Sequence, residues 1–420
     1  MRILAIATLY PLSNEDYAGQ ARHVSFRALA KQGHSIEVIR PQMRLYRLLS
    51  RDWRRKSGRP VPIEYELDGL NVMCPRYWRL PGRRWRAIEA KWRYGPIARR
   101  VRKRHAMQPF DLIYGCELMP DGVVAVRLGK ELGIPVMLSS IGSDAHTYPH
   151  ESERAMNETV RVLREADLIL VEGEGALADL RKLSSQTAPI RVFSRGIDLT
   201  RYENAPSRQE LRQRHGLPVD RKLIVFVGAL NESKGVQILA EAFSQVYSQY
   251  KDADLVCVGS GPMAGVIRTV AAENGWNDRL HLLGRQAFSD VPHILLACDV
   301  FCLPSFGEGL PKSVVEAMAA ELPVVATSVG GIPDVMHHGS CGVLVPPRDV
   351  TALANAIARL LANPNEAARM GQTGRDIAYS HFDTVKNAGG ILRFAEEAIA
   401  QGKARMARSR GNKGRDVESD

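Results

Sequence analysis

The sequence predicts an α/β protein of two doubly wound domains facing each other across a cleft. Three observations carry that expectation. Short apolar, β-branched runs alternate with helical patterns almost throughout, the mark of βαβ units and a parallel sheet. The strand runs form two series, separated by a polar stretch from Arg195 to Asp220 that holds Pro206 and Pro218 and no strand pattern. A length of 420 residues, with 45% hydrophobic and 25% charged, suits two or three folded domains rather than one core or a disordered chain.

The first series of runs is Ile3–Thr8, Ser35–Arg40, Leu70–Cys74, Asp111–Gly115, Pro135–Leu138, Leu168–Val171 and Ile190–Phe193. The second is Leu223–Val227, Asp254–Val258, Leu280–Leu283, Val300–Leu303, Pro323–Ala326 and Val343–Val345. The opening MRILAIATLYPLSNED has one positive charge and a short apolar run, but no small-residue cleavage site follows, so it reads as a strand rather than a signal peptide. Residues 1–195 are assigned to the first domain, 196–220 to a linker and 221–380 to the second domain. Residues 381–401 read as a helix packing back on the first domain, and 402–420, polar and apolar-poor, as a disordered tail. No run reaches the ~18 apolar residues of a membrane-spanning helix. Six dispersed cysteines (Cys74, Cys116, Cys257, Cys298, Cys302, Cys341), without a C-x-x-C, read as buried thiols in a reducing compartment, and the expected location is the cytoplasm.

The formal charge of +11 is unevenly spread. Between Arg40 and His105 stand 20 Lys/Arg and five acids, a local +15, so the rest of the chain sums to about −4. Trp53, Trp78, Trp85 and Trp92 share that window with Tyr46, Tyr77 and Tyr94. Its stretch Lys91 to Arg104 is interrupted by Gly95-Pro96, which predicts two short helices at most. Basic residues among amphipathic aromatics suit the headgroup layer of an anionic membrane. The competing reading is a solvated basic helix whose aromatics enter the core.

The densest chemical signal is CLPSFGEGLPKSVVEAMA from Cys302 to Ala319, a strand, a Gly-rich loop and a helix opening near Pro311. Gly307 and Gly309 let the loop pass close to a ligand, and the amides from Gly309 to Lys312 lie at the positive end of a helix dipole, where an anion belongs. Glu308 sits in the loop and Glu316 about one and a half turns into the helix. Carboxylates beside an anion site suit hydroxyl donors such as those of ribose or a sugar; a plain βα turn is the alternative. The second signal, Gly228-Ala-Leu-Asn-Glu-Ser-Lys-Gly235, follows the first strand of the second domain, where open α/β sheets bind ligands. Lys234 is a compact charge near a helix start, placed for a diphosphate or simply solvated. Neither loop is a Walker sequence. In a third, Ala18-Gly19-Gln20-Ala21-Arg22-His23, Gly19 either brings the backbone to a phosphate or sugar or merely opens a helix. Asp252-Ala-Asp254, the only Asp-x-Asp, precedes a strand and reads as a solvated turn.

Together these segments resemble the retaining nucleotide-sugar glycosyltransferases of family 4, whose GT-B architecture is two facing Rossmann-like domains. The resemblance spans nearly the whole chain. It rests on Gly284-Arg-Gln, Asp299 to Ser305, Glu308 and Glu316 with seven residues between, and Pro323-Val-Val-Ala-Thr-Ser-Val-Gly-Gly-Ile-Pro-Asp334. Supporting matches are Gly259-Ser-Gly-Pro262, Arg195-Gly-Ile-Asp-Leu-Thr-Arg-Tyr202 and Gly142-Ser-Asp144. By that likeness Lys234 and Glu308 are the catalytic residues. Donor binding falls to Gly19, Gly228, Lys234, Gly235, Arg285, Glu308, Gly309, Leu310, Pro311 and Glu316, with Lys234 on the diphosphate, Glu316 on the ribose and Arg285 near the base. Asp144 would touch acceptor or sugar. The chain departs from the pattern at Ala229, where many relatives have arginine, at Ile141, where histidine is common, and at Ala18, where a second glycine is.

The resemblance implies a hexosyltransferase that moves a sugar from a nucleotide-sugar donor to a saccharide or lipid-linked saccharide acceptor in cell-surface polysaccharide biosynthesis. It would work in the cytoplasm, peripheral at the inner face of an anionic membrane. The donor is a substrate, so no cofactor, no metal and no nucleic acid is expected. Departure of a diphosphate needs fixed positive potential, which Lys234 and the amides after Glu308 would supply, and no general base is assigned. A retaining glycosidase would need carboxyls about 5–5.5 Å apart across one sugar, which two acids on a cofactor-type turn do not offer. The alternatives are a nucleotide-sugar epimerase or phosphorylase of similar fold and, from another class, a nucleic-acid-binding protein using the Arg/Trp-rich segment.

Overall fold

The computed structural model describes residues 1–16, 18–44, 61–78, 86–140 and 142–415. Tyr46, Trp53, Trp85, Ile141, the basic residues from Arg47 to Arg59, and 416–420 of the expected tail lie outside them. The described residues form two compact units: those of 1–14, 18–194 and 385–415, and those of Arg195–Thr384, with which Glu15 and Asp16 group.

The strands of the first unit are β1 (Arg2–Ile6), β2 (Ser35–Ile39), β3 (Gln42–Arg44), β4 (Glu64–Leu67), β5 (Leu70–Met73), β6 (Arg76–Trp78), β7 (Leu112–Gly115), β8 (Val136–Ser140), β9 (Leu168–Val171) and β10 (Ile190–Val192). Eight of them form one sheet in the order β10-β9-β8-β7-β1-β2-β5-β4, parallel except for β4 against β5. Both faces are apolar, as a parallel sheet requires. Leu4, Ile6, Ile113, Leu138 and Ile169 face one core with the helices Arg86–Met107 and Val123–Leu132. Ile3, Ala5, Leu112, Met137 and Leu168 face the other with the helix Gln20–Lys31 and with Ala388, Ile391, Ala395 and Ala398 of the C-terminal helix Thr384–Arg415.

The second unit has β11 (Lys222–Val227), β12 (Ala253–Val258), β13 (Leu280–Gly284), β14 (Val300–Leu303), β15 (Val324–Thr327) and β16 (Gly342–Val345). They pair in the order β13-β12-β11-β14-β15-β16, all parallel. This is the doubly wound order 3-2-1-4-5-6, and the winding reverses between β11 and β14, where such sheets open a crevice at their strand carboxyl ends. All six cysteines are buried and free. Among the described residues no helix is long and apolar enough to cross a membrane.

Four expectations are corrected. The 196–220 stretch is no free linker. It folds into the 3₁₀ turn Leu199–Tyr202 and the helix Arg208–Arg214, started by a reciprocal Ser207–Glu210 capping box, and Leu199, Tyr202, Leu211 and Leu217 are buried in the second core. The tail is helical through Arg415, held where Gly402 is buried and Arg405 donates to Asp167 at 2.8 and 3.1 Å. Arg86–Met107 is one helix with Pro96 inside it. Ala90, Tyr94, Ile97, Ala98 and Val101 are buried on both sides of the proline, and burial at about 1.5–3 kcal/mol for each large side chain outweighs the ~3 kcal/mol a central proline costs. Asp254 is not a solvated turn residue but 1% exposed on β12, with Arg221 at 3.2 Å, Arg279 at 3.7 Å and His281 at 2.7 Å, while Asp252 pairs with Lys222 at the surface.

Candidate active site

Where β11 ends, Asn231 accepts a hydrogen bond from the Lys234 amide at 3.2 Å and shapes the 3₁₀ turn Glu232–Lys234. Gly235 follows with φ +64°, and a Cβ there would lie 1.9 Å from the Pro304 carbonyl oxygen. Only glycine lets the loop after β11 lie against the loop after β14. A hydrogen bond from the Phe306 amide to the Ser233 carbonyl, 2.8 Å, joins the same two loops. Beyond β14 the chain passes Glu308 and starts the helix Lys312–Ala319, with Pro311 as its N-cap rather than in its first turn.

This junction brings two expected residues together. Lys234 Nζ donates to Glu308 Oε1 at 2.5 Å, and Ser305 Oγ donates to the same oxygen at 2.6 Å. The lysine side chain is 27% exposed and the carboxylate 10%, so the pair lies at the edge of the crevice and not in the core. Among the described residues no intramolecular acceptor is seated on the amides of Gly309 and Leu310, which precede the helix. Glu316 lies beneath, 2% exposed, with the Arg201 guanidinium 3.8 Å from its carboxylate. Arg201 stacks 3.4 Å over the Phe288 ring and donates to the Phe288 carbonyl. Arg285, just past β13, donates to Ser260 at 3.2 Å. The second unit thus presents a cation, two carboxylates of different depth, two open amides and an aromatic ring at its strand carboxyl ends. That set can hold a phosphorylated, hydroxyl-rich ligand.

Gly228 follows β11 in the same unit; Gly19 and Asp144 belong to the first. Gly19 has φ +87°, and a Cβ would lie 2.5 Å from the Leu9 carbonyl oxygen, so close backbone packing accounts for it without a ligand. Asp144, 3% exposed, accepts from the Leu118 amide at 2.7 Å and from Ser140 Oγ at 2.8 Å. It ties the segments after β7 and β8 together.

Sequence reasoning missed Arg201 and Ser305 as site residues. Both lie inside the motifs named above, yet the partner of Arg201 is remote in sequence and Ser305 is itself a small neutral side chain three residues from Glu308. It also missed a buried polar cluster after β1 and β7. Asp121, fully buried, accepts from the Thr8 amide at 2.8 Å and from Arg93 at 3.1 Å, and Glu117 lies 3.7 Å from Arg22. Burial, reinforced by Asp121, pushes the Glu117 carboxyl up to about 8. Burial raises Asp121 as well, against the pull of Arg93.

Two family models match the chain, glycosyltransferase family 4 over residues 19–201 and glycosyl transferases group 1 over 207–377. A putative teichuronic acid biosynthesis glycosyltransferase, TuaC of Bacillus subtilis, is 32% identical over 92% of this chain and 96% of its own length. The chain belongs to the family 4 glycosyltransferases. Among solved structures, sucrose-phosphate synthase from Thermosynechococcus elongatus matches with TM-score 0.75 at 22% identity, covering 95% of this chain and 99% of that one. Anabaena HepE in complex with UDP matches with TM-score 0.72 at 20% identity, covering 94% and 100%. These likenesses give this family 4 glycosyltransferase the GT-B fold, two Rossmann-like domains of the kind described above.

Proposed function

We propose that the second domain holds a nucleotide-sugar donor and that the enzyme transfers its sugar, with retention of configuration, to a saccharide or lipid-linked saccharide acceptor in cell-surface polysaccharide synthesis. The observation that carries this reading is the Lys234–Glu308 pair beside the open amides of Gly309 and Leu310, at the point where strand order reverses. Lys234 and the amides stabilise the charge growing on the departing diphosphate. Glu308 accepts from sugar hydroxyls, and Glu316, backed by Arg201, takes the ribose. The leaving phosphate accepts the acceptor's proton on the same face, which retains the configuration. No divalent metal takes part, since Asp254 of the lone Asp-x-Asp is committed to Arg221, Arg279 and His281.

The teichuronic acid relative supports a polysaccharide product, and the UDP complex of HepE puts UDP-sugars first in a thermal-shift panel of nucleotides and nucleotide sugars. One nucleotide sugar should raise Tm, and product should form only with acceptor and persist in EDTA. Conversion of the donor without acceptor would instead make the protein an epimerase.

The same reading places the enzyme on an anionic membrane. On the first domain Arg44, Arg76, Arg99, Arg100 and Arg102 line a groove of about 590 Å³. Ile63, in that lining, and Trp78, under the Arg44 guanidinium, are 54% and 52% exposed. Cations beside exposed apolar side chains suit a headgroup layer. Salt-sensitive binding to anionic and not neutral vesicles supports this; indifference to both removes it.

A further inference from the structure

Outside the sugar-transfer site, the second domain gathers His215, at the C-terminal end of the helix Arg208–Arg214, with Asp290 and His293, one turn apart in the helix Asp290–Leu296. One donor atom from each lies within 4.8 Å of the other two, and the imidazole centroids are 6.3 Å apart. His215 Nε2 and His293 Nδ1 are both shielded from solvent and have no hydrogen-bond partner. A buried ring nitrogen left unpaired is destabilising by roughly 1–3 kcal/mol, and each of these two histidines carries one while a ring nitrogen of each stands within 4.8 Å of the Asp290 carboxylate. We propose that His215, Asp290 and His293 bind a divalent transition metal, zinc above all, as a structural clamp between these two helices.

Imidazole and carboxylate are borderline and hard ligands that suit Zn²⁺, and three protein ligands leave a fourth position for water. Ligands at about 2.0–2.2 Å from zinc stand roughly 3.3–3.6 Å from one another, so donors within 4.8 Å close by at most about 1.5 Å, within the reach of side-chain rotation. Arg214 and Arg201 repel a cation here, and the Asp290 carboxylate offsets them. The clamp joins the helix Arg208–Arg214 of the second domain to the helix that follows Phe288, and it is independent of the metal-free transfer proposed above.

The test uses the full chain, stripped with chelator and titrated with Zn²⁺ by calorimetry and with Co²⁺ by visible absorption. One tight equivalent, a d–d band of tetrahedral intensity and a Tm that rises with Zn²⁺ are expected. His215→Ala, His293→Ala and Asp290→Asn should each weaken that equivalent by more than about 100-fold, since loss of mere outer-shell support already costs 10–100-fold. Circular dichroism of the metal-free variants checks the fold, and Asp290→Asn, which conserves volume, carries the test should a histidine variant unfold. Binding left unchanged in all three would assign the metal to other members of the chain's 11 histidines and overturn the proposal, as would no saturable binding in the wild type.

Discussion

A lysine that bridges to a carboxylate at the open carboxyl ends of a sheet has little to do for the fold, because solvent-accessible ion pairs contribute about 0–1 kcal/mol. Lys234, 27% exposed, should therefore be removable without unfolding. In the role proposed for it, a fixed cation facing the leaving diphosphate, it is worth far more: Lys234→Ala should lower kcat by roughly 10²–10³, the loss of one preorganised donor. A folded variant within a few-fold of wild type would exclude it from the chemistry. Glu316 differs because it is buried against Arg201, so Glu316→Gln, which keeps the volume but leaves the arginine without its counter-charge, should raise the donor KM and also lower Tm. Glu117 makes a prediction about stability. Its folded pKa of about 8 stands above the ordinary 4.5, so between those values the folded state keeps a proton that the unfolded chain has released. Its stabilising contribution is complete below about 4.5 and is lost as pH rises through about 8. Glu117→Gln should flatten the decline of Tm with pH over that window, and identical slopes would show that another group carries the proton.

Elements with a single strong period were the legible ones. Leu168–Val171 and Val300–Leu303 read as continuous apolar runs because both faces of a parallel strand are covered, and their bounds in the structure are the same. The short strands Gln42–Arg44, Glu64–Leu67 and Arg76–Trp78 went unread, since each carries charges and lies at an edge or in a two-stranded pair. Local chemistry misled at Pro96, where proline signals a break but a helix with a buried stripe runs through. That leaves an unfavourable residue in place. Pro96→Ala should raise stability by about 1–2 kcal/mol, the helix-interior penalty of proline less the entropy the unfolded chain regains, readable as a higher denaturation midpoint. The loops of the site were legible as sequence because glycines, a lysine and two glutamates sit at fixed spacing. The links from Lys234 to Glu308 and from Arg201 to Glu316 were not, because they close over 74 and over a hundred residues.

At the scale of the molecule the second domain is an insertion. The first domain runs to Ser194, the chain folds the second from Arg195 to Thr384, and the helix Thr384–Arg415 then returns to cover one face of the first sheet. The two ends of the insertion meet: Ile197 bridges Asp383, with the Ile197 amide donating to Phe382 at 2.8 Å and the Thr384 amide donating to Ile197 at 3.0 Å. Paired ends and a continuous core of its own are what an autonomous domain has. A fragment of residues 195–384 should therefore fold alone and keep nucleotide binding, since Lys234, Glu308, Glu316, Arg201 and Arg285 all lie within it. The converse fails for the first domain. Residues 1–194 alone would expose the sheet face that Ala388, Ile391, Ala395 and Ala398 cover, and Asp167 would lose Arg405. That fragment should aggregate, and adding 385–415 through a short linker should rescue it. Within the whole protein, Ile391→Ala, at a position 1% exposed, should destabilise by about 2–4 kcal/mol and lower only the first domain's unfolding transition. A nucleotide should raise only the other. If both perturbations moved one shared transition, the domains would be a single cooperative unit and the insertion would describe the chain's path but not its stability.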